Sequence, residues 1–306
     1  MTDCSNLSGR RCALVTGGNK GIGFEICKKL AANDIRVILT ARNEKNGREA
    51  VEKLKLSGFS DVVFHQLDVK DPASIAALAD YVERNFGKLD ILVNNAAALG
   101  QVIANPQAFR SFKDGAAFNQ VLDENAHLLE GILEENYELA EDCLRTNYYG
   151  AKAVTTELLP FLQLSHSARI VNVTSVYGKL MWIYNEKVKA ELNDVESLTE
   201  EKIDKIVEWF LKDYKENNLK ANGWPITVSA YKISKAAINA YTRLLARKYP
   251  SIRINCVHPG YCQTDITSET GPSTAEEGAR GPAMAALLPD DGPSGIYFSE
   301  MQPSTF

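Results

Sequence analysis

Short apolar runs alternate along the chain with longer stretches in which apolar residues recur every three or four positions. The runs lie near Ala13–Thr16, Val37–Thr40, Val62–Gln66, Ile91–Asn94, Arg169–Thr174, Arg253–Val257 and Gly295–Phe298. They are too short for stable helices and rich in Val, Ile and Leu, which predicts buried strands. Between them, helical spacing predicts helices over Ala73–Asn85, Tyr137–Phe161 and Tyr231–Lys248, and an amphipathic one carrying Phe24, Cys27, Leu30 and Ala31. Strands that are apolar throughout belong to parallel sheets covered by helices on both faces. The pattern predicts one α/β domain over residues 1–306, built on a doubly wound parallel seven-stranded sheet.

Ligands of such sheets bind beyond the strand C-termini. There the first strand runs into Gly17-Gly18-Asn19-Lys20-Gly21-Ile22-Gly23, and a helix follows. Glycines let the backbone approach a pyrophosphate, and a helix N-terminus offers free N–H groups to its charge. This is the context of a Rossmann dinucleotide site, although Thr16-Gly17-x-x-x-Gly21-x-Gly23 differs from the Gly-x-Gly-x-x-Gly spacing. Later in the chain, Tyr231 and Lys235 stand four apart on a predicted helix, so phenol and ammonium share one face. A neighbouring cation lowers a tyrosine pKa towards neutrality and makes the phenol a usable acid or base. Alone, such a pair is far more often a solvated surface contact.

The motifs Thr16-Gly17-x-x-x-Gly21-x-Gly23, Asn94-Asn95-Ala96, Asn147, Ser175 and Tyr231-x-x-x-Lys235 stand in the order used by short-chain dehydrogenases/reductases. The chain resembles that family from Cys12 to about Phe298, and its insertions resemble those of plant carbonyl reductases of the salutaridine reductase and neomenthol dehydrogenase kind. The resemblance implies that Tyr231 protonates a carbonyl oxygen as hydride arrives from a nicotinamide, and that Lys235 lowers the tyrosine pKa and holds the nicotinamide ribose. It implies that Ser175 bonds the carbonyl oxygen and Asn147 holds a water linking Lys235 to solvent. Gly17, Asn19, Lys20, Gly21, Ile22, Gly23, Asp68, Val69, Asn94, Pro259, Gly260 and Thr264 match its cofactor-binding positions.

Charge favours NADPH/NADP+ over NAD. The second strand ends Thr40-Ala41-Arg42, with no acid for a ribose hydroxyl, and Lys20 supplies a second cation for a 2′-phosphate. The expected reaction is NADPH-dependent reduction of a ketone on a small apolar substrate, a terpenoid or alkaloid. Reduction of a conjugated C=C bond, alcohol oxidation and a catalytically idle NADP-binding protein are the alternatives. The full Asn147, Ser175, Tyr231 and Lys235 set argues against the last.

About fifty positions separate Asn95 from Asn147, and as many separate Ser175 from Tyr231, long connections of the kind that form lids and binding loops. Residues 98–136 form a lid-like insertion, looser from Leu99 to Phe118, with Leu128, Leu129, Ile132 and Leu133 at helical spacing. Residues 178–228 hold a helix capped by Thr199, with Glu200 and Glu201 in its first turn. Its face of Ile203, Ile206, Val207, Phe210, Leu211 and Tyr214 is expected to pack on the core rather than touch substrate. Covering the surface that the family uses for association, it favours a monomer. Ala97 replaces the family's glycine after Asn94-Asn95-Ala96, so a methyl group narrows the turn, and a positive φ there would be strained.

Composition removes other classes. With 45% apolar residues the chain can bury a large core, and a net charge of −5 offers no footprint for nucleic acid or an anionic membrane. No run reaches transmembrane length, Met1–Ser8 lacks the apolar stretch of a signal peptide, and Ser304-Thr305-Phe306 is no lipidation or peroxisomal signal, so a cytoplasmic protein is expected. Six scattered cysteines, at positions 4, 12, 27, 143, 256 and 262, suit reduced thiols. Cys256, His258 and Cys262 lack a fourth ligand nearby, so no metal is expected. Asn172-Val173-Thr174 is a formal glycosylation sequon discounted because it falls in a buried strand.

Overall fold

The computed structural model describes residues 10–114 and 123–306. The Met1–Ser8 segment with Cys4 lies outside the described residues, as do residues 115–122 of the first insertion. In chain order the elements are β1 (Cys12–Val15), α1 (Gly21–Ala31), β2 (Arg36–Ala41), α2 (Glu44–Leu56), β3 (Val62–Gln66), α3 (Pro72–Phe86) and β4 (Ile91–Asn94). The first insertion holds β5 (Val102–Ile103), α4 (Pro106–Asp114) and β6 (Leu133–Glu134), followed by α5 (Tyr137–Leu144) and α6 (Ala151–Gln163). After β7 (Arg169–Val173) come α7 (Glu186–Asn193) and α8 (Glu200–Lys215) of the second insertion, then α9 (Ser229–Lys248) and β8 (Arg253–His258). The chain closes with α10 (Ala275–Gly278), α11 (Arg280–Ala286), β9 (Tyr297–Ser299) and β10 (Gln302–Ser304).

The main sheet runs β3-β2-β1-β4-β7-β8-β9-β10 and is parallel through β9, so the order reverses between β1 and β4. Period-two alternation sorts its side chains. Cys12, Leu14, Leu92 and Ile170 enter a core shared with α3, α5, α6, α8 and α9. Ala13, Val15, Val93 and Val171 enter a second core under α1, α2 and α11. Both faces are covered, as continuous apolar strands require. The sheet nevertheless has eight strands rather than seven. β10 pairs antiparallel with β9 across a tight turn in which Glu300 takes φ 58. Its sequence, Gln-Pro-Ser, carries no apolar signal, and Pro303 is tolerated because the strand lies at the edge.

Two helical expectations are corrected. The Tyr137–Phe161 stretch is interrupted by a π-helical turn at Arg145–Gly150, which separates α5 from α6. Leu128, Leu129, Ile132 and Leu133 do not form a helix. A 3₁₀ turn ends at Leu129, Gly131 takes φ 72, and Leu133 pairs with Ile103 in a two-stranded ribbon. In the second insertion, Thr199 accepts from the Lys202 amide at the start of α8. Ile203, Ile206, Val207 and Phe210 are buried against α9 and α5, with Leu211 and Tyr214 at the margin of the same core. Asn172 is fully buried in β7, where its amide donates to Thr242.

Candidate active site

A cleft of about 970 Å³ opens beyond the strand C-termini at the point where the strand order reverses. Ser175 leaves β7 and caps a short 3₁₀ turn, its Oγ accepting from the Tyr177 amide at 3.2 Å. The turn packs directly on α9: a Cβ at Gly178 would stand 2.8 Å from the Lys235 carbonyl oxygen, and Asn239 donates to the Gly178 carbonyl at 3.0 Å. This contact sets Ser175 on the same cleft wall as Tyr231. One helical turn on, the Lys235 ammonium lies 5.5 Å from the Tyr231 ring centroid and donates to the Val173 carbonyl at 2.8 Å. Ser175, Tyr231 and Lys235 all line the cleft.

The electrostatics differ from the sequence expectation. Burial holds the Tyr231 phenol above its ordinary pKa, with a smaller downward pull from Ser175. Burial also lowers Lys235 to about 8, because its charged form loses hydration. In a desolvated site the cost of charge outweighs the mutual attraction, so the protein holds a protonated tyrosine. Asn147, within the π-helical turn, is buried away from the cleft lining. Its amide donates to the Ala98 carbonyl at 2.9 Å and to Ser234 Oγ at 3.0 Å, and its oxygen accepts from the Ala98 amide at 2.7 Å. The side chain therefore ties the β4 loop to α9, and protein groups take up the amide expected to hold a water.

The other end of the cleft is a glycine cradle. Gly17 and Gly21 take φ 65 and 54, and a Cβ on Gly23 would meet the Gly17 carbonyl oxygen at 2.4 Å. No side chain caps α1, which leaves its first amide groups turned to the cleft at Gly21, Ile22 and Gly23. Free amides on a glycine turn suit a diphosphate. Asn19, Lys20, Arg42, Asp68, Val69, Pro259, Gly260 and Thr264 complete this wall. The Arg42 guanidinium has no ion pair among the described residues, whereas Lys20 is paired with Asp265 from the loop after β8. Both ends of that pair are largely exposed. Asn94 is not in the cleft: it is buried, donating to Thr155 and Asn172. Its neighbour Asn95 lines the wall and donates to the Thr16 carbonyl at 2.9 Å. Ala97 lines the cleft without a positive φ, so the turn there carries no left-handed strain.

A profile described as short chain dehydrogenase matches residues 11–129, and one described as Enoyl-(Acyl carrier protein) reductase matches residues 219–287. The chain is 50% identical to salutaridine reductase of Papaver somniferum over 99% of each sequence. It is 50% identical to (−)-isopiperitenone reductase of Mentha piperita, covering 94% of this chain and 96% of that one. It is 48% identical to (+)-neomenthol dehydrogenase of Capsicum annuum, covering 97% and 98%. The chain belongs to the short-chain dehydrogenase/reductase family. Its fold superposes on the solved salutaridine reductase structure with a TM-score of 0.86 at 50% identity, over 95% of this chain and 100% of that one. As a short-chain dehydrogenase/reductase it is an oxidoreductase that works with a nicotinamide cofactor.

Several cleft residues carry no motif that the family resemblance could flag. Phe109, Leu133, Tyr177 and Val228 form its apolar side, and Thr174 and His258 stand together where β7 and β8 end. Burial lowers His258 to about 4, so its imidazole is neutral. Phe109 and Leu133 come from the first insertion, Val228 is the last residue of the second, and Tyr177 sits in the short 3₁₀ turn after β7. Asn95 stands inside the Asn94-Asn95-Ala96 motif, and Thr174 and His258 each adjoin a residue that the resemblance names, Ser175 and Pro259. Among the described residues no three His, Cys, Asp or Glu side chains converge as metal ligands would, and no helix is long and apolar enough to cross a membrane. The five described cysteines are free and buried.

Proposed function

We propose that this chain reduces the ketone of a small, largely apolar substrate such as a terpenoid or alkaloid, using NADPH. The observation that carries the reading is the grouping of Ser175, Tyr231 and Lys235 on one cleft wall, between the glycine cradle and an apolar end. Gly17, Asn19, Gly21, Ile22, Gly23, Asp68, Val69, Pro259, Gly260 and Thr264 would hold the cofactor, with Arg42 and Lys20 at the 2′-phosphate. Lys20 exchanges Asp265 for that phosphate at little cost, since exposed pairs are weak. When bound, the cofactor supplies the hydride. Tyr231 gives its proton to the carbonyl oxygen, Ser175 donates a hydrogen bond to the same oxygen as charge develops, and Lys235 stabilises the phenolate left behind. Asn147 acts as a positioning residue through Ala98 and Ser234.

The roof over the substrate comprises the described parts of the 98–136 lid and the ends of the 178–228 insertion, while α8 packs on α9 and α5, where it would block association and keep the chain monomeric in the cytoplasm. Relatives of nearly equal identity are named as two reductases and a dehydrogenase, so conjugated C=C reduction and alcohol oxidation stay open as second readings. Incubation with cyclic ketones and enones, NADPH and product identification separates them. Alcohol formed from the saturated ketone supports the proposal, and a saturated ketone formed from the enone with no alcohol overturns it.

A further inference from the structure

Val228 is the residue just before α9, and it lines the cleft. It takes φ 50 and ψ 35, a left-handed conformation that a β-branched side chain adopts only when its surroundings impose it. Its side chain is buried with Leu129, against Leu99, Leu133, Tyr177 and Tyr231. No side chain of α9 caps the helix, and its first turn holds no acid.

The missing acceptors come from the first insertion. Asp123 accepts from the Ile226 amide at 2.9 Å, the Thr227 amide at 3.0 Å and the Thr227 hydroxyl at 2.6 Å. Glu135 accepts from the Val228 amide at 2.6 Å, the Ser229 amide at 3.3 Å and the Ser229 hydroxyl at 2.9 Å. Four consecutive amides are thereby satisfied by two carboxylates from a different part of the chain. Lys232, fully buried, stands 3.3 Å from Asp123 and lies over the Tyr177 and Trp182 rings. Asp123, Glu135 and Lys232 do not line the cleft. Negative charge at a helix N-terminus is favourable, so the clamp also seats the helix that carries Tyr231 and Lys235.

We propose that Val228 is a specificity-determining residue of the substrate wall, and that Glu135 is a positioning residue whose paired hydrogen bonds hold Val228 in its left-handed conformation and join the lid to the catalytic helix. The proposal rests on the reading that Tyr231 protonates a ketone held in this cleft. Glu135 then acts on which substrates fit, and leaves the glycine cradle alone.

The test compares Glu135→Ala, Glu135→Gln and Val228→Gly with the unaltered chain. NADPH affinity is read by fluorescence, and kcat and KM are measured for cyclohexanone and its methyl- and isopropyl-substituted derivatives. Amide hydrogen exchange is followed at residues 226–229. Glu135→Ala is expected to speed exchange at Val228 and Ser229 and to change the KM ranking of the three ketones by about tenfold, the scale set by one altered wall contact. NADPH affinity stays unchanged, and Glu135→Gln, which keeps one acceptor oxygen, falls between. Val228→Gly folds without the left-handed strain and shifts the ranking towards the bulkier ketone. Unchanged exchange in Glu135→Ala, or an unchanged ranking in Val228→Gly, overturns the proposal. If Glu135→Ala does not fold, the Gln and Gly variants decide. Exchange needs no turnover, so inactivity of the unaltered chain towards every ketone counts against the functional reading alone.

Discussion

The two ends of the cleft are built by different means. At the cradle, a strand, a glycine turn and a helix that are contiguous in sequence create the binding surface, with Gly17, Gly21 and Gly23 supplying conformations and clearances that side chains forbid. At the apolar end, the wall depends on contacts spanning about a hundred residues, from Asp123 and Glu135 to the amides before α9. A locally encoded surface tolerates little change, because each glycine answers to a positive φ or to a backbone clash. A surface held by distant hydrogen bonds can be reshaped without disturbing the cradle. This division suits a family in which one chemistry serves many substrates.

The largest expected effect tests the boundary between the two ends. Tyr231→Phe should lower kcat on the order of a hundred- to ten-thousand-fold, the usual contribution of a general acid, while NADPH titration by fluorescence shows near-normal binding. Loss of cofactor binding with loss of turnover would merge the two ends into one unit.

At the cradle, Arg42→Ala should weaken NADPH by roughly ten- to hundred-fold and leave NADH nearly unaffected, since a charge-assisted pair of bonds is lost only where a phosphate is present. The comparison is kcat/KM with each cofactor. Equal loss for both would show that Arg42 supports the fold of the cradle and does not read the phosphate.

The pH profile probes the residue between the ends. Lys235 carries its charge below about 8 and loses it above. That charge stabilises the phenolate formed as Tyr231 gives up its proton, so kcat/KM for NADPH should fall on the alkaline side. The limb should centre near 8 and approach a decline of roughly tenfold per pH unit beyond it. A profile flat to pH 10 would remove Lys235's charge from the mechanism.

The smallest effect sharpens the contrast within the second insertion. Thr199→Ala removes the cap of α8 and should cost about 0.5–2 kcal/mol in denaturant unfolding. KM and kcat, measured well below the melting temperature, should stay unchanged. A changed KM would mean that α8 reaches the substrate wall after all.

Much of this was legible in the chain. Apolar runs located the seven parallel strands because burial on both faces leaves no room for polar alternation. The eighth strand escaped because an edge strand of Gln302, Pro303 and Ser304 buries little. Tyr231, Lys235 and Ser175 were legible as motif residues, but the burial of Asn94 behind the cleft was not. Asn94 closes β4 and donates to Asn172 of the neighbouring β7, and the cleft-lining asparagine is the next one.

Sequence alone determined the alternation of the seven parallel strands with helices, the glycine turn and the chemical groups gathered at the strand ends. These follow from periodicity and short spacing, which act within a few residues. Only the tertiary structure decided that Tyr231 stays protonated, that Lys235 titrates near 8, that Lys20 meets Asp265, and that Val228 turns left-handed. Desolvation and long-range hydrogen bonds come into being when the chain closes on itself, and no local pattern records them.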